Sequence, residues 1–259
     1  WEQDMPEGKS IEQFLSRLRE RPQIMAIARN PLLLAMIAYL YTDTEFVLPH
    51  SRAEFYEKST NLLLEKWQRK RNKYKATYKG LVMQDLALFN QKRAKKSEGD
   101  RRTIDLKTVL AQISTVLPSL TLKEEDAQPM LDEIVKRSGL LVAVDGGAGY
   151  QFTHLTLQEF FAAKELESKQ NELLAFFTQD PDAWREVLRL WCGLEHDSTE
   201  LIRELYKTDP IMAFECLGDA QKVEEGYVKE LVNIFKEHLP EAGENENLAK
   251  AFALVAADP

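Results

Sequence analysis

Apolar residues recur at helical spacing from the start of the chain. Ile11, Phe14, Leu15 and Leu18 fall on one face behind Ser10, which predicts a first amphipathic helix. Pro22 breaks it and opens a short helix through Ile24, Ile27 and Ala28. Asn30-Pro31 reads as a cap followed by the first residue of a third helix, because proline's missing amide would be unpaired there in any case. That apolar run, Pro31 to Tyr41, is too short to span a bilayer and predicts a buried helix. Ser51-x-x-Glu54 has the form of a capping box and launches a long helix through Phe55, Leu62, Leu63, Leu64 and Trp67. The pattern resumes from Lys79 to about Lys96, breaks at Ser97-Glu98-Gly99-Asp100, and returns from about Asp105 to Val116 and from Ala127 to Arg137. Gly139 suits a left-handed helix end.

The period then changes. Leu140-Leu141-Val142-Ala143-Val144 and Tyr150-Gln151-Phe152 flank Asp145-Gly146-Gly147-Ala148-Gly149 and predict a short hairpin. The glycines do not make a phosphate loop, since a strand follows them and no lysine accompanies them. Beyond Glu167 every segment reads as helix: Glu172 to Phe177, Pro181 to Leu194, Thr199 to Tyr206, Pro210 to Leu217, Val223 to His238 and Asn247 to Ala256. Asp180-Pro181 and Asp209-Pro210 each pair a capping aspartate with a first-turn proline. Short helices joined by short turns read as a HEAT-like array, without a clean fixed period.

The 259 residues suffice for two or three small domains, and 44% hydrophobic with 29% charged residues is an ordinary globular balance. Cys192 and Cys216 lack metal spacing and are expected as buried thiols of a cytoplasmic protein. No secretion signal is visible, and a chain opening at Trp1 and closing at Asp258-Pro259 is expected to be part of a longer one. Net charge is −8, yet Leu63 to Leu110 holds fourteen basic residues against five acidic ones. Lys66, Arg69, Lys70, Arg71, Lys73, Lys75, Lys92, Arg93, Lys95, Lys96, Arg101 and Arg102 therefore form a candidate nucleic-acid patch, with Trp67, Tyr74 and Tyr78 interleaved for base stacking. A solvated helix face with a basic loop accounts for the same residues.

One segment carries more chemistry than the rest: Phe152-Thr153-His154-Leu155-Thr156-Leu157-Gln158-Glu159-Phe160-Phe161-Ala162-Ala163. Thr156 is expected to cap a helix, Glu159 to reach back to the cap's amide, and Leu155 to staple onto Phe160. His154 would then stand two residues outside the first turn, beside unpaired amides and the positive end of the helix dipole, where a phosphate binds favourably. Local packing or capping by His154 fits the same spacing.

This string, with Arg137-Ser138-Gly139-Leu140-Leu141-Val142 before it, resembles the end of the winged-helix domain of NACHT-family STAND NTPases, relatives of the NOD-like receptors. Ala28-Arg29-Asn30-Pro31-Leu32-Leu33-Leu34-Ala35-Met36-Ile37, followed by Leu48-Pro49-His50-Ser51-Arg52-Ala53-Glu54-Phe55-Tyr56, resembles the family's first helical domain. The resemblance covers roughly residues 10 to 168. It implies a mainly α chain in which a NACHT-associated helical domain (1–78) precedes a winged-helix domain with a β-hairpin wing (79–168) and a HEAT-like helical region cut short at 169–259. It further implies that Pro31 packs on adenine and His154 bonds the ADP phosphate, with Thr156 and Glu159 supporting the histidine. ADP or ATP with magnesium would belong to the full-length parent. Its partners would be the chain's own NTPase domain, further copies on activation, and an unknown protein or nucleic-acid ligand sensed by the C-terminal region, with no membrane involved. Antiviral defence is the setting that the resemblance brings with it.

The chain itself has no Gly-x-x-x-x-Gly-Lys-[Ser/Thr] loop, so no catalytic residue, resident cofactor or metal is expected in it, and ATP hydrolysis is expected of the parent alone. His50, His196 and His238 are scattered without ligand-spaced partners. Two other functions remain: a winged-helix nucleic-acid-binding protein, which needs the basic segment to lie on the recognition helix or wing, and a helical protein-binding scaffold.

Overall fold

Several predicted helix starts are met by a local cap in the computed structural model, which describes residues 6–42, 47–49, 51–65, 72–93 and 102–238. Ser10 Oγ accepts from Gln13 N at 3.2 Å and launches α1 (Ile11–Arg19). Prolines open α2 (Pro22–Ile27) and α3 (Pro31–Tyr41). Ser51 Oγ accepts from Glu54 N at 3.1 Å ahead of α4 (Arg52–Glu65). The long helix α5 (Ala76–Arg93) follows. The predicted stretches at Trp67, Ser97 to Asp100 and Asn247 to Ala256 lie outside the described residues.

After α5 come β1 (Ile104–Asp105), α6 (Leu106–Val116), α7 (Ala127–Ser138), β2 (Leu141–Val144) and β3 (Gly149–Phe152). The hairpin forms where glycine allows it: Gly139 ends α7 at φ +66°. β2 and β3 pair antiparallel, with Leu141 opposite Phe152 and Val144 opposite Gly149. The strand β1 was not expected. It lies on the other edge of β3, Ile104 opposite Tyr150, giving the order β1-β3-β2. A Cβ on Gly149 would stand 2.5 Å from Thr103 Cγ2, so glycine is what lets that edge close. Helices α5, α6 and α7 with this small sheet make a winged helix in a mainly α chain.

Next, α8 (Leu155–Glu165) is buried on nearly all sides from Leu157 to Ala163. Small Ala162 and Ala163 accompany Phe160 and Phe161, and Tyr56 of α4 meets Phe160 at 5.8 Å between ring centroids. A buried amide ladder joins it to α5: Asn90 Nδ2 donates to Gln158 Oε1 at 2.8 Å and Gln158 Nε2 to Gln91 Oε1 at 2.7 Å.

The helical region contains α9 (Gln170–Gln179), α10 (Pro181–Leu194), α11 (Thr199–Thr208), α12 (Pro210–Asp219) and α13 (Glu225–His238). Asp180 and Asp209 cap as predicted, accepting from Ala183 N at 3.4 Å and Met212 N at 2.9 Å. The pairs α9/α10 and α11/α12 pack in succession, but α10 also lies on α8 and α4. Two contacts bind it there. Trp191 Nε1 donates to Leu166 O at 2.7 Å, and a Cβ on Gly193 would come within 2.7 Å of Ala53 Cβ. At the other end of the chain Gln23 Nε2 of α2 donates to Gly218 O of α12 at 2.7 Å, across 195 residues. Among the described residues no helix is long and apolar enough to cross a membrane.

Candidate functional site

The start of α8 differs from its predicted form. Its N-cap is His154, extended at φ −143° and ψ 142°, and the helix begins at Leu155. Thr156 is therefore inside the first turn and does not cap; its amide and Oγ1 lie 3.3 and 2.6 Å from His154 Nδ1. Nor does Glu159 reach back to a cap. It is buried, facing α4 and α10, where burial first and Glu186 second push its carboxyl up to about 7, with Arg52 pulling the other way. Leu155 is 42% exposed and staples nothing. Tertiary packing of α8 sets where it starts, and a capping box worth about 1 kcal/mol yields to it.

The two motifs singled out by the sequence meet here. Asn30 Oδ1 accepts from Leu33 N at 3.3 Å and so caps α3, while Asn30 Nδ2 lies 2.7 Å from His154 Nε2 across 124 residues. Pro31, the next residue, is exposed. The buried phenol of Tyr56 lies beside Thr156, and burial pushes its titration up. The His154 imidazole is held below its ordinary value by burial and then by the nearby Arg102 charge, which keeps it neutral near pH 7.

Leu34 and Tyr39 on α3 are 38% and 49% exposed, and Leu155 at the start of α8 is 42% exposed. A cavity of about 300 Å³ opens between α3, α4 and the end of α7, lined by Met36, Leu63, Leu140, Thr153 and Leu157 among others. Helix α3 is thus only partly packed on the body that carries His154.

Only part of the candidate basic patch falls within the described residues. Lys66, Arg69, Lys70, Arg71, Lys95, Lys96 and Arg101 lie outside the described residues. Of the rest, Lys73 pairs with Asp126 at 3.0 Å and Lys92 with Glu172 at 3.1 Å. Lys75 covers Tyr78 and Arg93 covers Phe89, at 5.2 and 5.6 Å from the ring centroids. Arg102 is exposed near His154. Tyr74 is buried with its hydroxyl on Asp126 at 2.8 Å, so it offers no face to a base. On α7 the outward residues Gln128, Pro129, Asp132 and Lys136 are mixed in charge, and the wing tip carries Asp145 and no cation. Of the described basic residues, Lys73, Lys75, Lys92 and Arg93 are turned to protein carboxylates and rings.

Two charged clusters escaped the sequence reading. Arg52, the first residue of α4, reaches Glu186 Oε1 on α10 at 2.6 Å and both oxygens of Asp219 at the end of α12 at 3.2 and 3.3 Å. Arg189 Nε adds a 2.7 Å bond to Asp219. Burial alone would lower the Arg52 guanidinium, but Asp219 and Glu186 outweigh it and raise it overall. Inside the winged helix, Lys79 of α5 pairs with Glu133 of α7 at 3.1 Å, both almost wholly buried. Glu133 also accepts from Lys73 N at 2.8 Å. Both clusters join elements far apart in sequence, and local spacing contains no trace of either.

Residues 52–166 match the family model described as a winged helix-turn-helix domain C-terminal to NACHT. Comparison with curated proteins finds no match for the chain.

Proposed function

We propose, for a chain whose residues 52–166 belong to the winged-helix domains C-terminal to NACHT, that it is the regulatory part of a signal-transducing NACHT ATPase. The reading is that it converts the nucleotide bound by the preceding NTPase domain into a rotation of the winged helix and its attached helices, and thereby into assembly with further copies. ADP or ATP with magnesium, and hydrolysis itself, belong to the NTPase domain in this reading. Pro31 packs on adenine and His154 donates a hydrogen bond to the terminal phosphate of ADP.

The contact between Asn30 and His154 is the observation that carries it. It brings Asn30, the neighbour of Pro31, onto His154 across 124 residues, which supports a reading in which one nucleotide reaches both once the Asn30 side chain gives way. The exposed apolar side chain of Leu155, next to His154, suits contact with an adjoining domain. One charge-assisted hydrogen bond contributes about 1.5–3 kcal/mol, enough to shift a poised equilibrium tenfold or more but not to hold it alone. Apolar contact with the adjoining domain supplies the rest.

The test uses the full-length protein with His154→Ala. Co-purified nucleotide is quantified after denaturation and assembly is followed by light scattering. Faster ADP loss and easier assembly are expected; unchanged retention together with unchanged assembly would refute the reading.

A further inference from the structure

Both ring nitrogens of His154 have partners, and the cap of α3 decides which of them carries the proton. Leu33 N can only donate, so the oxygen of the Asn30 carboxamide faces the helix and its NH2 faces the ring. At 2.7 Å from Nε2, that NH2 needs a lone pair. Nε2 therefore accepts, and the single proton of a neutral imidazole sits on Nδ1, donating to Thr156 Oγ1 at 2.6 Å. The donors in the row run from Asn30 through the ring to Thr156.

The opposite arrangement flips the amide, so that Nδ1 accepts from Thr156 N at 3.3 Å and Leu33 N faces a second donor. Burial decides between them. Leu33 is 3% exposed, whereas Thr156 is half-buried beside the exposed Leu155 at an open helix end. Orphaning the buried amide costs more than turning the outer one to solvent.

We propose that Asn30 is the positioning residue of His154, capping α3 with its oxygen while its NH2 holds the ring neutral with the proton on Nδ1. Nε2 then presents a lone pair, which repels a phosphate oxygen. A phosphate can take a hydrogen bond from Nε2 only after the Asn30 side chain withdraws and a proton reaches that nitrogen. Packing of α3 on His154 and capture of phosphate by His154 exclude each other. Only this last step rests on the function proposed above.

The experiment is long-range 1H–15N correlation spectroscopy of the 15N-labelled chain at pH 8, with His154 identified by the signals lost in His154→Gln. The unaltered chain is expected to show His154 protonated on Nδ1. In Asn30→Asp the cap on Leu33 N is kept but an acceptor faces the ring, so the proton moves to Nε2. An Nε2–H tautomer in the unaltered chain, or no change in Asn30→Asp, overturns the proposal whatever phosphate does. Asn30→Ser keeps a capping hydroxyl that does not reach the ring, and pyrophosphate should then shift His154 at concentrations about tenfold or more below those needed by the unaltered chain. Equal response of the two forms overturns the mutual exclusion. No response in either overturns it together with the phosphate role of His154, while an Nδ1–H ring that switches in Asn30→Asp still upholds Asn30 as the positioning residue.

Discussion

Replacing Glu159 by Gln should remove a penalty that the fold carries at neutral pH. Glu159 is 9% exposed, and its carboxyl is pushed from the ordinary 4.5 up to about 7. As pH rises past 4.5 the unfolded chain releases this proton while the folded chain retains it, so stability falls until the folded carboxyl ionises near 7 and then levels off. The total loss is about 3 kcal/mol, at about 1.4 kcal/mol for each pH unit between the two values. Gln has nearly the same shape and never ionises. Glu159→Gln should match the parent near pH 4.5 and exceed it by up to about 3 kcal/mol at pH 8. Urea unfolding followed by the fluorescence of the buried Trp184 and Trp191 measures this, and subtracting the two stability–pH curves cancels every other titrating group. Parallel curves between pH 4.5 and 8 would refute the reasoning, because Glu159 would then ionise as freely in the fold as outside it.

Gly193→Ala drives a methyl to 2.7 Å from Ala53 Cβ and 3.1 Å from Asp219 O, and should cost about 1–3 kcal/mol in the same urea assay, with Ala53→Gly in the same chain recovering part of it. Arg52→Met leaves Glu186 and one side of Asp219 without their guanidinium, and should cost about 3–5 kcal/mol, read as a fall in thermal midpoint. Lys79→Met takes the ammonium from the buried Glu133, which keeps the Lys73 amide and the more distant Arg137, and should cost about 1–3 kcal/mol by calorimetry.

What the sequence made legible was local. Asp180-Pro181, Asp209-Pro210 and Ser51 mark helix starts because a cap and the amide it satisfies lie within three residues. Gly139 and the glycines after Asp145 mark the hairpin because their backbone conformation excludes most side chains. The strand β1 was illegible, since two residues have no period and Ile104 pairs with Tyr150 only once the hairpin exists. At α8 the local rule gave a cap at Thr156, and the competing burial of Glu159 against α4 and α10 overrode it. For the candidate site, His154 and Pro31 stood out through the company they keep. Their meeting through Asn30 depends on a closure over 124 residues that no window reads.

The partners of the first three helices have a consequence for biosynthesis. Helix α3 leaves the ribosome with apolar residues on every side, and the groups that receive its neighbourhood, His154 and Gly218, follow 124 residues after Asn30 and 195 after Gln23. At ordinary elongation rates the first of these delays is on the order of ten seconds. During that interval Leu33, Ile37 and Leu40 have α1, α2 and then α4 to lie against. The nascent chain therefore displays an apolar helix well before its full covering is made, and that covering is complete only when α8 and α12 emerge.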